Sequence, residues 1–279
     1  MYKTILVYLD TKDRAAALIE IALSLAARHD AHLIGLHVVP SDISASIGMF
    51  PAELPIQYIE EAQQLRKAEA DAIEAIFVQK TRAAGAERIE WRHEMAIRPD
   101  DGRTINRHAM CADLVIAGQT RDPDLGDTIL ADIIMGCGRP VLVIPCAGSF
   151  ELVGDRVLVA WNATPESARA AFDALPLLQA ASQVRVLAIN PRHEAPLVGL
   201  ATADDLVVAL ARQNVTVESA TSFSQDISVG DDVLSSLADD GSDLLVMGCF
   251  GHSRLREMLF GGVTRHVLRH MTVPVLMSH

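Results

Sequence analysis

The feature that most restricts the fold is a pattern that the chain states twice. Lys3-Thr4-Ile5-Leu6-Val7-Tyr8-Leu9-Asp10 is a short apolar run ending in a polar turn, and Asp155-Arg156-Val157-Leu158-Val159-Ala160-Trp161-Asn162 repeats it. Each run is followed by an Ala-rich helical segment, over 12–28 and 165–180. In the second, Thr164 stands as N-cap, Pro165 takes the first helical position and Glu166 lies in the first turn. Unbroken aliphatic runs of this length, alternating with helices, predict strands buried on both faces of a parallel sheet.

The correspondence continues along both halves. Second strands at 32–39 and 183–190 precede helical stretches at 53–84 and 202–213. Third strands at 87–95 and 215–223 precede helices at 101–110 and 230–239. The fourth strands, ADLVIAG at 112–118 and SDLLVMG at 242–248, match best, and each half closes on a proline-marked strand, 139–144 and 273–277. The expected architecture is α/β: two tandem Rossmann-like domains, each a five-stranded parallel sheet with helices on both faces. The domains span 1–146 and 155–279, joined through the Gly/Ser-containing stretch between them. In such sheets ligands lie beyond the carboxyl ends of the strands, at the switch point. One candidate cleft therefore takes residues 9–11 and 118–122, and the other takes 161–164, 189–191 and 248–264.

Composition narrows the function. The 279 residues suit two domains, and the half that are hydrophobic can build a sizeable core. Only 4% are aromatic, so that core is aliphatic. A net charge of −12 argues against non-specific nucleic-acid binding, which needs Lys and Arg to neutralise phosphates. Cys111, Cys137, Cys146 and Cys249 form neither a C-x-x-C pair nor a metal-finger spacing and read as reduced thiols. No apolar run approaches the ~18–20 residues of a membrane span, and the chain opens on a strand pattern rather than a leader. The expectation is a cytoplasmic protein without a nucleic-acid or membrane partner.

The chemistry concentrates in GCFGHSRLREMLFGGVT, residues 248–264. Gly248 ends a strand, and the stretch runs into Val263-Thr264-Arg265-His266-Val267-Leu268-Arg269, an amphipathic helical pattern. Glycines let the backbone approach a ligand and expose successive N–H groups. A helix starting near Gly261 or Gly262 would aim its free N–H groups and positive dipole end at the same spot. A phosphate chain is the ligand such an arrangement favours. Each dipole contribution is only ~0.3–1 kcal/mol, so several N–H groups must act with Ser253, Arg254 or Thr264. The plainer reading, tight turns alone, stays open, because neither a P-loop nor G-x-G-x-x-G is present.

The pattern Gly248-x-x-Gly251-(nine residues)-Gly261, after DLLVMG and before V-P-V-L, resembles the nucleotide loop of the universal stress protein family. The duplicated plan is similar to the tandem, two-domain branch of that family, with its adenine nucleotide alpha hydrolase-like fold. The resemblance implies a stress-response protein binding ATP, ADP or AMP, with Mg as a companion ion, in the second half. Phosphates would meet Gly248, Gly251, His252, Ser253, Arg254, Gly261, Gly262, Val263 and Thr264. Adenine would lie between Ile189, Met247 and the Trp161-Asn162 turn. Gly262 stands where the family has Ser or Thr, and Asn162 stands where it often has an acid. The resemblance further implies an internal pseudo-dimer with 140–145 against 273–277, and leaves a homodimer open. Two alternatives remain: an interaction module that binds no nucleotide, and a slow ATPase in which His252 is the titratable candidate.

The first half lacks the loop. Thr120 and Arg121 replace the second glycine and its neighbour, and Gly118 to Pro140 is 22 positions against 26 from Gly248 to Pro274. Asp122, Asp124 and Asp127 would repel phosphate, so no nucleotide is expected there despite Asp10 at the acidic position. His266 and His270, at i and i+4, have metal-ligand spacing, but Arg265 and Arg269 flank them. Asp231-Asp232 and Asp239-Asp240 read as helix ends rather than as acid/base pairs. Cys249 is either a reactive thiol or an ordinary loop cysteine. The insertion at 41–75 either connects structure or covers a cleft.

Overall fold

The computed structural model describes residues 1–39, 56–96, 102–120, 127–191, 201–223, 226–249 and 262–279. They group into two compact units, Met1–Cys137 and Gly138–His279. Among the described residues no helix is long and apolar enough to cross a membrane.

The first unit runs β1 (Thr4–Tyr8), α1 (Lys12–His29), β2 (His32–Val39), α2 (Ile56–Ala83), β3 (Ile89–Met95), α3 (Arg103–Ala109), β4 (Leu114–Gly118) and α4 (Asp127–Gly136). Its strands lie in the order β3-β2-β1-β4, all parallel, with Thr4 opposite His32 and Ile5 opposite Leu114. Ile5, Leu6, Val7 and Leu114 through Ala117 are buried, as expected for strands covered on both faces. Over them α1 lays Ala15, Leu18, Ile19, Ala22, Leu25 and Ala26, the i, i+3, i+4, i+7 stripe of an amphipathic helix. Asp30 ends α1 in the left-handed region at φ 52°, where Asp is tolerated, and its amide reaches the Ala26 and Ala27 carbonyls.

His29, in the last turn of α1, is 3% exposed, packs edge-to-face on Tyr2 at 5.0 Å, and its Nε2 has no partner. Burial, with the nearby N-terminal amine and Arg28, pushes its pKa down to about 4. The unfolded chain, titrating at ~6.5, takes up this proton first as pH falls. Stability present above ~6.5 is therefore lost between ~6.5 and ~4, by about 1–2 kcal/mol after allowance for solvent screening. His29→Phe should remove this component. Urea midpoints at pH 7 and 4.5 would then fall less in the variant than in the wild type, and equal falls would refute the assignment.

The second unit contains β5 (Val141–Ile144), β6 (Arg156–Trp161), α5 (Pro165–Asp173), α6 (Leu175–Leu178), β7 (Gln183–Ile189) and α7 (Ala203–Ala211). It continues with β8 (Val217–Ser222), α8 (Val229–Asp240), β9 (Leu244–Gly248), α9 (Gly262–His270) and β10 (Val275–Ser278). Strands β10-β9-β6-β7-β8 are parallel, with Leu158 opposite Leu245 and Arg185. Strand β5 groups with this second unit and runs antiparallel to β10, with Leu142 opposite Leu276. This is the expected pairing of 140–145 with 273–277; all four residues of each strand are buried, and the ladder satisfies backbone groups that β10 would otherwise leave open.

The duplication reaches individual hydrogen bonds. Asp113, just before β4, accepts from the amides of Lys3 (2.7 Å) and Thr4 (3.0 Å) at the start of β1. Asp243, just before β9, accepts from those of Gly154 (2.8 Å), Asp155 (3.1 Å) and Arg156 (3.3 Å) at the start of β6.

Candidate functional site

Strand β6 leaves the sheet through Trp161, Asn162, Ala163 and Thr164. The Asn162 Oδ1 accepts from the Thr164 hydroxyl at 2.9 Å and from its amide at 3.3 Å, closing a side-chain-supported turn. Thr164 then caps α5: its hydroxyl accepts from the Ser167 amide at 3.4 Å, while its own amide donates to the Ser167 Oγ at 3.1 Å. Asn162 is therefore a turn-forming acceptor already in use, and α5 satisfies much of its own N-terminus.

Between them Ala163 adopts φ 60°, and Asn190, at the exit of β7, adopts φ 46°. Asn visits the left-handed region readily, whereas Ala pays a steric penalty of about 1 kcal/mol. Ala163→Gly should therefore raise the urea stability of the second unit by about 1 kcal/mol. A loss of stability would show that Ala163 is not strained.

The strand register sorts the expected adenine contacts. Ala160 lies opposite both Met247 and Leu187, and Trp161 lies opposite Ala188. Because side chains alternate along a strand, Met247, Leu187 and Ile189 share one face, while Trp161 projects from the other. There the Trp161 indole N–H donates to the Ala201 carbonyl at 3.2 Å. Ile189 and Met247 thus lie on one face, on either side of β6; the Trp161 side chain does not, although its main chain remains at the strand end. Met247 is only 5% exposed, so its side chain belongs largely to the core.

Gly248 serves packing as well as the loop. A Cβ built there would fall within the main chain of Glu166 and Ser167, 2.8 Å from the Glu166 oxygen and closer still to its carbon. The first turn of α5 can lie over the end of β9 only because this residue lacks a side chain. Cys249 follows, buried, its thiol donating to the Ser278 carbonyl at 3.2 Å, which is the environment of an ordinary packed cysteine.

Gly251, His252, Ser253, Arg254 and Gly261 lie outside the described residues. Helix α9 begins at Gly262, with no acidic residue in its first turn and Arg269 and His270 in its last. By contrast α5, α7 and α8 carry Glu166, Asp204 and Asp205, and Asp231 and Asp232 in their first turns. A helix without a resident carboxylate leaves its N-terminal dipole for an external anion. Gly262 is exposed, Val263 half-buried and Thr264 only 4% exposed. The burial of Thr264 turns its side chain toward the protein rather than toward solvent, which the amphipathic pattern did not reveal.

In the first unit the equivalent cleft is filled from within. The buried Arg14 guanidinium lies against Gly118 and donates to the Gln119 carbonyl. Thr11 makes no side-chain cap to α1; Glu69 of α2 does so instead, its Oε1 accepting from the Lys12 amide at 2.8 Å. A carboxylate thus sits on the helix end that an anion would use. Asp10 accepts from the Thr11 amide at 2.9 Å, and burial plus the charge of Asp10 raises the Tyr8 pKa. Burial likewise lowers that of His37, partly offset by its 2.7 Å bond to the Leu9 carbonyl. Asp127 begins α4, which links the fourth and fifth strands as the repeated plan implies; Arg121, Asp122 and Asp124 lie outside the described residues.

The remaining candidates take structural places. Asp231 and Asp232 open α8, and Asp239 and Asp240 close it before Gly241. The Ser228 hydroxyl holds the Asp231 carboxyl below its usual range. His270 Nδ1 meets the His266 carbonyl at 2.9 Å, and the two rings lie 4.4 Å apart. Among the described residues no three His, Cys, Asp or Glu side chains gather so as to hold a metal. The insertion's residues 41–55 lie outside the described residues, and the rest of it belongs to α2.

Comparison with known proteins agrees with the duplicated plan. The model of the universal stress protein family matches residues 1–145 and again 154–279. The solved universal stress protein of Archaeoglobus fulgidus DSM 4304 superposes with TM-score 0.68 at 15% identity, over 98% of this chain and 95% of that one. A functionally unknown protein of Pseudomonas aeruginosa PAO1, PA1789, gives 0.59 at 15% identity, over 99% and 92%. Among curated proteins, universal stress protein Slr1230 of Synechocystis sp. (strain ATCC 27184 / PCC 6803 / Kazusa) is 50% identical over 38 residues, 14% of this chain and 13% of that protein's length.

Proposed function

Since the chain belongs to the universal stress protein family in both halves, we propose that it is a cytoplasmic stress-response protein that binds one adenine nucleotide, ATP, ADP or AMP, in its second half. The observation that carries this reading is the sequence Gly248-x-x-Gly251-(nine residues)-Gly261, strung between β9 and the acid-free N-terminus of α9. Main-chain N–H groups of the loop and of the first turn of α9 hold the phosphates, with Ser253 and Arg254 adding a hydroxyl and a positive charge. Adenine packs on the face shared by Ile189 and Met247, beside the main chain of Trp161 and Asn162. Mg accompanies the phosphates as a companion ion. The first half, with Arg14 and Glu69 in its cleft, binds none.

A second reading has its own support. Asn162 is engaged by Thr164, and Gly262 offers no hydroxyl, so the protein would act through partners without nucleotide. Gly251→Val separates the two. Under the first reading nucleotide released from purified wild-type protein by denaturation, and detected by mass spectrometry, disappears in the variant. Under the second, neither protein carries any. A wild type that binds no ATP, ADP or AMP at millimolar concentration refutes the proposal.

A further inference from the structure

Helix α9 has a seat on α8 that is specific in shape. Gly230, in the first turn of α8, is buried, and a Cβ there would lie 2.7 Å from His266 Cδ2, 3.0 Å from Cγ and 3.1 Å from Cβ. The last two atoms are not the far end of a flexible side chain, so a methyl group here presses α8 and α9 apart by a few tenths of an ångström. Glycine is a poor helix former; here it makes room for the imidazole. At the ring atom next to Cδ2, His266 Nε2 lies 2.8 Å from Asp231 Oδ1. Asp231 is itself fixed, because its Oδ2 accepts from the Ser228 hydroxyl at 2.6 Å while its amide donates back at 3.1 Å. The His270 ring covers His266 at 4.4 Å. Val267 and Leu268 bury the adjoining stripe of α9.

We infer that His266 is a positioning residue for anion binding: seated against Gly230 and held by Asp231, it fixes the rotation of α9 and so the direction of the amides at Gly262, Val263 and Thr264. This rests on the proposed nucleotide reading and extends it to residues remote from the loop. The physical reason is that a helix N-terminus rewards an anion only along its axis, and a small rotation or shift misdirects several N–H groups at once. The imidazole reaches α8 beside the buried Val267 and Leu268 stripe, so it holds α9 about its own axis.

The test uses the full chain as wild type, Gly230→Ala, His266→Ala and the double variant. Equilibrium dialysis reads the ATP dissociation constant, and amide hydrogen exchange followed by mass spectrometry reads the 262–270 peptide. Gly230→Ala, although Ala favours the helix, should speed exchange of that peptide about tenfold and weaken ATP binding about tenfold, leaving peptides of β6 and β7 unchanged. Adding His266→Ala removes the clash, so the double variant should match His266→Ala alone in both readouts. Unchanged exchange in Gly230→Ala overturns the seat. Faster exchange with unaltered ATP affinity overturns the positioning role. A wild type that binds no ATP instead refutes the proposed function, and the exchange comparison still decides the seat.

Discussion

Gly248→Ala should destabilise the second unit by about 3 kcal/mol, the upper part of the range for overpacked sites. The new methyl group would meet main chain rather than side chain, at Glu166 and Ser167. Neither rotamer change nor side-chain repacking can make room, so α5 must lift from β9. That would also break the Thr164–Ser167 cap, whose loss alone costs about 1 kcal/mol. The chain has two tryptophans, Trp91 and Trp161, one in each unit, so a Trp91→Phe background reports the second unit by fluorescence. In that background the urea midpoint should fall sharply on introducing Ala at 248. A variant as stable as its parent would mean that β9 and α5 are not in the close approach described.

Asp243→Ala carries the second large effect. One carboxylate answers three consecutive amides, Gly154, Asp155 and Arg156, at the start of β6. Hydrogen bonds to a charged group contribute about 1.5–3 kcal/mol, and the partly buried Gly154 amide would be left unmet while the two exposed ones turn to water. A loss of about 2–4 kcal/mol in the second unit is expected. Asp113→Ala should do the same in the first unit, somewhat less, since it answers two amides, Lys3 and Thr4. With Trp161→Phe and Trp91→Phe backgrounds, each substitution should shift only the transition of its own unit. Losses below ~0.5 kcal/mol, the scale of ordinary surface substitutions, would contradict the role assigned to both residues.

Much of the fold was legible because it depends on local signals. Aliphatic runs gave the ten strands within a residue or two, and Thr164-Pro165-Glu166 gave the start of α5. The start of α9 at Gly262 also followed from the pattern after the glycines. The bounds of α4 were not legible, because the aspartates before it read as loop charges, although TILADIIMG that follows is strongly apolar. What remained hidden depends on partners distant in sequence. Glu69 capping α1 is 57 residues from its donor, and Arg14 reaches across 105 to Gln119. The pairing of β5 with the last strand was expected from the family resemblance, not from a local signal. No local pattern encodes these contacts; only the folded topology does. The same holds for the candidate site. Spacing identified Gly248, but only its approach to Glu166 and Ser167 shows that packing alone would demand a glycine there. Likewise Trp161 was legible as a strand end, yet its indole faces away from Ile189 and Met247, as strand register dictates.

The central claim is that one half of a duplicated chain binds an adenine nucleotide and the other does not. Equilibrium dialysis of the 279-residue chain against ATP up to millimolar concentration tests it directly. The account predicts saturation at one nucleotide per chain, lost in Gly251→Val. Two nucleotides per chain, or none, would contradict it.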